Sequence, residues 1–529
     1  MPQSISRRRF MADSLLGVTA AVGAAYATSA TTAVAQQPAG SVAANDKLGV
    51  AIMGAGDRAR AHINYFRDDA RCTILYVVDP DTESAPRTIE AIDQIAESQG
   101  GIRPQRVRDL RVALDDKAVD IVASSTTNHW HALSAIWTCQ AEKHVYVEKP
   151  GNHNIHEGLA LVAASKKYNS VVQIGTQKRS MAANADMVKF VHEGGIGEVK
   201  FARGLCYKPG RREAFGRAEG FPLPLTVDYD LWSGPAPVVP LLRRNFHYDW
   251  HWQRLYGNGD LGNQGSHQTD VACWLLGIDR FPQAVISYGG RLGIETLQDR
   301  LSVEARARGD IEVGDVAHTL VSVYDYGDKC IVFETRGLPS TRMDIPTSRK
   351  AGTWIGVIAY GTKGYAIQGP TDRAQTQSYS AAYDLEGNVI REFRGGHAVN
   401  DHFNNFVDAV VKGDPSAVTA PAIEGSISAA VSHFGNNSYY LGEANKASAS
   451  EIKAALREIK SLDDNDETVD RTVEHLRANN VDLDRTPMSL GVHLKFDNAT
   501  GRFIGNDAAN AMLTREYRAP YIVPKPEDV

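Results

Sequence analysis

The sequence predicts an α/β protein, with a doubly wound parallel sheet first and an α+β region after it. Three observations carry this expectation. An apolar run from residue 47 enters a glycine-rich turn; short apolar strands alternate with helical patterns from 47 to about 172; and after 173 strand-like segments such as 319–324 and 330–335 share a tight Gly327-Asp328 turn. The 529 residues allow about three structural units at ~150 residues each. Hydrophobic residues make up 43% and charged residues 23%, which excludes wholesale disorder. The 57 basic and 63 acidic residues give a net charge of −6 with no concentrated basic face, so nucleic acid is not an expected partner. After the first fifty residues no run is long and apolar enough to span a bilayer. Cys72, Cys139, Cys206, Cys273 and Cys330 lack metal-site spacing, so they read as small buried hydrophobes and no metal site is expected.

Residues 1–35 form the first element. Arg7, Arg8 and Arg9 precede Phe10, a weakly apolar stretch covers 15–27, and Ala33-Val34-Ala35 supplies small residues for cleavage. This resembles a twin-arginine (Tat) signal, which exports folded proteins, and it predicts a periplasmic or otherwise exported location. An ordinary basic tail is the plainer alternative. Residues 36–46 read as a linker.

Residues 47–172 form the second element. The run Leu48-Gly-Val-Ala-Ile-Met53 reads as a buried strand leading into Gly54-Ala55-Gly56-Asp57-Arg58-Ala59. Gly54 permits the turn, Gly56 lets the backbone approach a pyrophosphate, and Ala59 lets the following helix pack on the strand. The helix N-terminus would then face the phosphate charge. A second strand ends in Asp79, whose carboxylate can accept from both ribose hydroxyls of NAD and repels the 2′-phosphate of NADP; Arg87 nearby keeps NADP possible. A third buried strand, 119–125, precedes Asn128 and His131, and a fourth ends in Glu148-Lys149-Pro150. Gly54, Asp79, Asn128 and Lys149 thus all fall at the carboxyl ends of strands, where such sheets bind ligands.

In this order, the G-x-G-x-x-A turn, the Asn128-x-x-His131 pair and the Glu148-Lys149-Pro150 run resemble the Gfo/Idh/MocA oxidoreductase family. The resemblance extends through 175–179, 230–235 and 259–270 and covers roughly 47–440. It implies an N-terminal Rossmann domain binding NAD (or NADP), and a second domain, 173–442, built on an open, mostly antiparallel sheet. It also implies a carbohydrate substrate and a dimer or tetramer. Carried over residue by residue, Gly54, Gly56, Asp57, Arg58, Asp79, Asn128, His131, Glu148, Lys149, Gln177 and Trp232 would meet the cofactor. Lys149 would also reach the reacting hydroxyl, and His267 would be the general base. Arg179, Asn263, Trp252 and Tyr207 would lie on the substrate side. One departure stands out: Asn263 occupies the position where the family usually has aspartate, and an amide cannot take a proton. Proton abstraction then falls on His267, with an ordinary pKa of ~6.5. Asp270, one helical turn on, either orients that imidazole or is a plain surface charge. Trp250 and Trp252 suit a pyranose face or the core equally.

Helical patterns at 401–412 and 423–442 close the second domain. Residues 443–529 read as a C-terminal extension, with short charged helices at 451–460 and 466–478, wrapping the second domain or a neighbouring subunit.

These readings predict an exported NAD(P)-dependent oxidoreductase acting on a sugar or glycoside hydroxyl. Free NAD is not recycled outside the cytoplasm, so the cofactor is expected to be tightly held and regenerated within each cycle. The alternative within the family is a glycosidase or epimerase working through a transient keto-sugar. Absence of a tyrosine in 263–267 weakens the glycosidase branch. A non-catalytic sugar-binding protein is the alternative of another class.

Overall fold

The computed structural model describes residues 47–83, 86–208, 214–293, 307–340, 354–369 and 379–529, with backbone alone at 86–91 and 379. The expected export signal and linker, and the Arg87 side chain, lie outside the described residues.

The N-terminal half builds a six-stranded, all-parallel sheet from β1 (Leu48–Met53), β2 (Cys72–Val78), β3 (Gln105–Val107), β4 (Ile121–Ser124), β5 (His144–Val147) and β6 (Val172–Ile174). Strand order β3-β2-β1-β4-β5-β6 reverses direction between β1 and β4, which opens a crevice above their carboxyl ends. Apart from the polar, exposed edge strand β3, the strands are short, apolar and largely buried, as a sheet covered by helices on each side requires. One of the covering helices, Ala398–Lys412, comes from late in the chain. Its Phe403, Phe406 and Val407 pack on Val50, Ile52 and Ile121.

The second region is a mixed, mostly antiparallel sheet of 12 strands. Its first strand along the chain, β7 (Val199–Tyr207), lies in the middle of the sheet, while β8 (Phe215–Phe221) and β9 (Leu241–Arg243) belong to a separate small sheet. The remaining strands to residue 394 are β10 (Ala284–Gly290), β11 (Ile311–Glu312, in the small sheet), β12 (Thr319–Asp325), β13 (Cys330–Arg336), β14 (Trp354–Gly361), β15 (Gly364–Gln368), β16 (Tyr379–Asp384) and β17 (Val389–Arg394). Among the described residues of this sheet β7 and β13 are the one parallel pair; β12 and β13 form the hairpin expected around Gly327.

Alternation along these strands sends one set of side chains to each face. On one face, Val285, Leu320, Ile331 and Phe333 meet the helices Ser266–Leu276 and Ala422–Gly442. On the other, Ile286, Val321, Val323 and Val332 are covered by Ile452, Leu456, Val469, Val473 and Leu476 of Ala449–Leu456 and Asn465–Ala478. The C-terminal extension therefore covers the far face of the sheet. It also adds β18 (Lys446–Ala447), β19 (Met488–Leu490), β20 (Leu494–Asp497) and β21 (Arg502–Phe503) at the β10 side. Its last stretch returns to the parallel sheet, where Tyr521, Val523 and Val529 join the core around Trp130, Leu133 and Leu161. All five cysteines are free and buried. Among the described residues no helix is long and apolar enough to cross a membrane.

Candidate active site

A cavity of about 700 Å³ opens at the switch point between β1 and β4 and runs toward the helix Ser266–Leu276. That size suits a dinucleotide with a small second ligand. At the β1 end the amide of Gly54 donates to the Val78 carbonyl at 2.8 Å. Its φ of +86°, with Ser125 backbone oxygen 2.9 Å from where a Cβ would sit, leaves room for glycine alone. At Gly56 a Cβ would point into open space, the room a pyrophosphate needs. The helix Ala59–Asp68 that follows has no side-chain cap and no acidic residue in its first turn, so its amides and dipole are available to an anion.

Asp79 at the end of β2 accepts from the Ala55 amide at 2.7 Å and the Asp81 amide at 2.9 Å, which ties the glycine turn to the position of an adenosine ribose. Asn128 opens the helix Asn128–Gln140 and is 2% exposed. Its Oδ1 is buried at the cavity with no hydrogen-bond partner among the described residues, an acceptor fitted to a cofactor hydroxyl or amide. The residues present thus fit a dinucleotide. His131 lines the cavity too, but its Nδ1 lies 2.7 Å from the Pro150 carbonyl and its Nε2 3.1 Å from that of Thr126. Burial lowers its pKa, so the neutral ring has one N–H and donates to only one of these two strand-end carbonyls.

Glu148 is buried within reach of Arg58 (Nη2 to Oε1, 2.6 Å), His62 (3.2 Å) and Gln177 (3.2 Å). Burial pushes its carboxyl up, but the Arg58 guanidinium and His62 more than offset this and hold it well below the ordinary glutamate value. The carboxylate in turn fixes Arg58 beside the glycine turn. Lys149 points the other way and donates to the backbone and side-chain oxygens of Asn263 at 2.9 and 3.1 Å. An ammonium has three donors, so one remains for the cavity. Burial lowers the Lys149 pKa to about 8, against the opposing pull of Glu148.

His267 lies one residue into the helix Ser266–Leu276 and lines the same cavity. Burial, then the positive charge of Lys149, lowers its pKa well below 6.5, so the imidazole is neutral near pH 7. Its Nδ1 has no partner among the described residues. Asp270 does not orient it: both Asp270 oxygens are taken by Arg179 Nε, at 2.8 and 2.9 Å.

The cavity gathers Gly54, Gly56, Asp57, Arg58, Asp79, Asn128, His131, Glu148, Lys149, Gln177, Trp232, Asn263 and His267. Three of the expected substrate residues lie elsewhere. Arg179 is locked between Asp270 and Glu424 and stacks on Trp274. Tyr207 sits on the sheet face opposite the His267 helix and donates to Glu334 at 2.6 Å, because alternate residues of β7 point to opposite faces. Trp252 is 2% exposed, packed with Ala214 and Val316. Its segment, Asp249–Trp252, is a 3-10 turn whose side chains splay by a third of a turn each, so Trp250 and His251 face the cavity instead. Sequence reasoning missed Arg108, His247 and His251. Arg108 directly follows β3, so the strand-end rule that found Asp79 would have found it.

Trp232 covers the cavity from the helix Tyr229–Ser233, with its carbonyl held by Trp130 Nε1 at 2.9 Å and Arg243 lying 4.5 Å over its ring. The C-terminal stretch braces this segment. Arg518 donates to the Asp230 carboxylate (2.6 Å) and carbonyl (2.7 Å), and the Tyr521 ring meets Trp130 at 5.6 Å. The Asp230 carboxylate is exposed, so the ion pair itself contributes little, and the carbonyl contact carries the bracing. Arg518→Ala is expected to speed dinucleotide release about 3- to 10-fold, followed by stopped-flow fluorescence, with the melting temperature shifted by only a few degrees.

Strand order, glycine turn and cavity together define a dinucleotide-binding α/β domain. Residues 48–176 match the family model GFO_IDH_MocA, described as an oxidoreductase family with an NAD-binding Rossmann fold, so this stretch is a Gfo/Idh/MocA NAD-binding domain. Over 180 residues the chain is 29% identical to the levoglucosan dehydrogenase of Pseudarthrobacter phenanthrenivorans, covering 34% of this chain and 38% of that protein. Over 174 residues it is 27% identical to a glycosyl hydrolase family 109 protein of Shewanella pealeana, covering 31% and 37%. The match thus spans little more than a third of each curated relative. In fold, the chain resembles the aldose-aldose oxidoreductase of Caulobacter crescentus with a TM-score of 0.50 at 19% identity, over 74% of this chain and 97% of that one.

Proposed function

We propose that this protein is an NAD-dependent oxidoreductase acting on a sugar or glycoside hydroxyl, exported by the Tat route as a folded, cofactor-loaded homo-oligomer. The observation that carries the reading is the pairing of Lys149, its pKa lowered to about 8, with a neutral His267 on the wall of one dinucleotide-sized cavity. When bound, NAD accepts the hydride from the carbinol carbon. Lys149, as the free amine, takes the hydroxyl proton; His267 accepts from a neighbouring hydroxyl and so orients the sugar; Asn263 holds the Lys149 head group in place. Trp232 and the Trp250 segment exclude water from the reacting carbon.

The relative named as a levoglucosan dehydrogenase supports the sugar substrate. The bracing of Trp232 by the C-terminal stretch supports slow cofactor exchange, which an exported enzyme needs if it is to recycle one NAD through a second sugar or keto compound. The relative named as a glycosyl hydrolase family 109 protein favours a second reading, in which the ketone is transient and the glycoside is cleaved or epimerised without net oxidation.

Purified full-length protein, denatured and spun, tests the reading. Near-stoichiometric NAD or NADH in the supernatant, together with reduction or oxidation of the bound cofactor when sugar pairs are added to the intact protein, is the expected result. A protein that emerges empty and binds NAD weakly would overturn the retained-cofactor reading, and free aglycone from a glycoside would select the second.

A further inference from the structure

We propose that His247 and Asp81 form a clasp across the mouth of the cofactor cavity, and that parting them is the step by which the dinucleotide enters and leaves. The inference rests on the NAD-dependent reading of the same site and adds to it the residues that keep the cofactor in.

The two residues come from different halves of the chain. Asp81 follows β2, two residues past Asp79, and is 4% exposed. Its Oδ1 accepts from the Glu83 amide at 2.9 Å, and its Oδ2 lies 2.8 Å from Nε2 of His247. His247 belongs to the segment between β9 and the 3-10 turn Asp249–Trp252. That segment is held from behind by Arg243, which donates to the Phe246 carbonyl at 3.0 Å and to the Gln253 side chain at 3.1 Å. The same guanidinium lies 4.5, 4.8 and 5.1 Å over the rings of Trp232, Phe246 and Tyr256.

His247 sits where the cavity meets water. It lines the cavity, yet 52% of its side chain is exposed. The other exposed residues of the lining are Gly56, Asp57, Arg108 and Asn245, so these five rim the mouth. Gly56 is where the backbone leaves room for a pyrophosphate, and the bond from His247 to the loop after Asp79 crosses the opening at that level. A second tie joins the halves close by: the Asp228 amide donates to the Pro80 carbonyl at 2.9 Å and the Thr82 amide to the Thr226 carbonyl at 3.1 Å. Residues 226–228 are not part of the cavity lining, so this main-chain join is a fixed point behind the wall. The His247 contact is made by side chains alone and is half open to solvent, so it parts at small cost while the join beside it stays closed. A dinucleotide seated between the glycine turn and Lys149 has this contact between itself and solvent.

The test uses full-length protein loaded with NADH, whose release into excess NAD is followed by stopped-flow fluorescence. His247→Ala and Asp81→Ala are each expected to speed release about 3- to 10-fold, the range one half-exposed hydrogen bond supports. Association should quicken alike, because entry crosses the same contact. The double variant should release no faster than the faster single one, since the second substitution has no contact left to remove. That cycle also separates the clasp from the Glu83 turn, which Asp81→Ala disturbs. His247→Gln, which keeps a donor at similar reach, should release slowly, and His247→Phe, which keeps a ring without a nitrogen, should release as fast as the alanine variant. Release unchanged in both alanine variants, or acceleration that adds in the double variant, overturns the clasp. So does slow release from His247→Phe, which would make the ring a plug. A wild-type protein that binds no NADH would end this inference together with the cofactor reading. Slow release that the variants quicken, from a protein whose dinucleotide no sugar reduces or oxidises, would keep the clasp and sink the oxidoreductase reading.

Discussion

Replacing Lys149 by alanine is expected to lower kcat for sugar oxidation by about 1,000-fold, within the range a positioned general base contributes. The amine is the base only when deprotonated. With its pKa lowered to about 8, wild-type kcat/KM should rise tenfold per pH unit below that value and level off above it. The alanine variant should lose this limb. Lys149→Arg separates charge from proton transfer, because a guanidinium keeps the positive charge but does not deprotonate near neutral pH. It is expected to be as inactive as the alanine variant while still binding NAD. An arginine variant with near wild-type kcat would remove Lys149 from proton transfer and leave it an electrostatic part. The assignment differs from the family-based expectation, which gave the burden to His267. Burial lowers the imidazole below its ordinary range, so near neutral pH it is a weak base and a good hydrogen-bond acceptor.

The parallel sheet and its cofactor crevice were legible in the sequence because their signals are local. An apolar strand, a glycine turn and an acid at the next strand end each lie within a few residues of one another, and Gly54, Asp79, Asn128 and Lys149 all come to the cavity wall. The substrate side was less legible, because there the direction of a side chain depends on how a short turn docks. Two residues' difference in a 3-10 turn sends Trp250 to the cavity and Trp252 to the core, and in another such turn Gln177 lines the cavity while Arg179 is bound to Asp270. Least legible was residue 443 onward. Its helices could be anticipated, and Ala449–Leu456 even opens on a Ser448/Glu451 capping box, but not which surface they cover. That surface is chosen by partners more than a hundred residues away, above all by a buried cluster of charges on the far face of β7 and β13.

Glu334 sits at the centre of that cluster, and Glu334→Ala is expected to destabilise the protein by about 3–5 kcal/mol, the cost of breaking a buried ion network from one side, read from the urea midpoint. The residue is 0% exposed. Its carboxylate is paired with Arg203, with Arg471 (3.0 Å) and with Arg336 (3.5 Å), and it accepts from the Tyr207 hydroxyl. Arg203 also reaches Asp463 of the C-terminal extension, so strand β7, strand β13 and the helix Asn465–Ala478 are joined through one carboxylate. Burial pushes the Glu334 carboxyl up, but the three guanidiniums more than offset this and hold it far below the usual glutamate value of 4.5. A folded pKa below the unfolded one means the stabilisation is complete above about pH 5 and is lost as the pH falls below the unfolded value toward the folded one. Glu334→Gln, which keeps the shape but not the charge, should therefore be destabilising at pH 7 and show a shallower acid limb than the wild type. The far-face helices also carry Ile452, Leu456, Val469, Val473 and Leu476 in apolar contact with the sheet. If Glu334→Ala unfolds at nearly the wild-type midpoint, those side chains alone hold the extension in place, and the charge cluster selects its register without stabilising it.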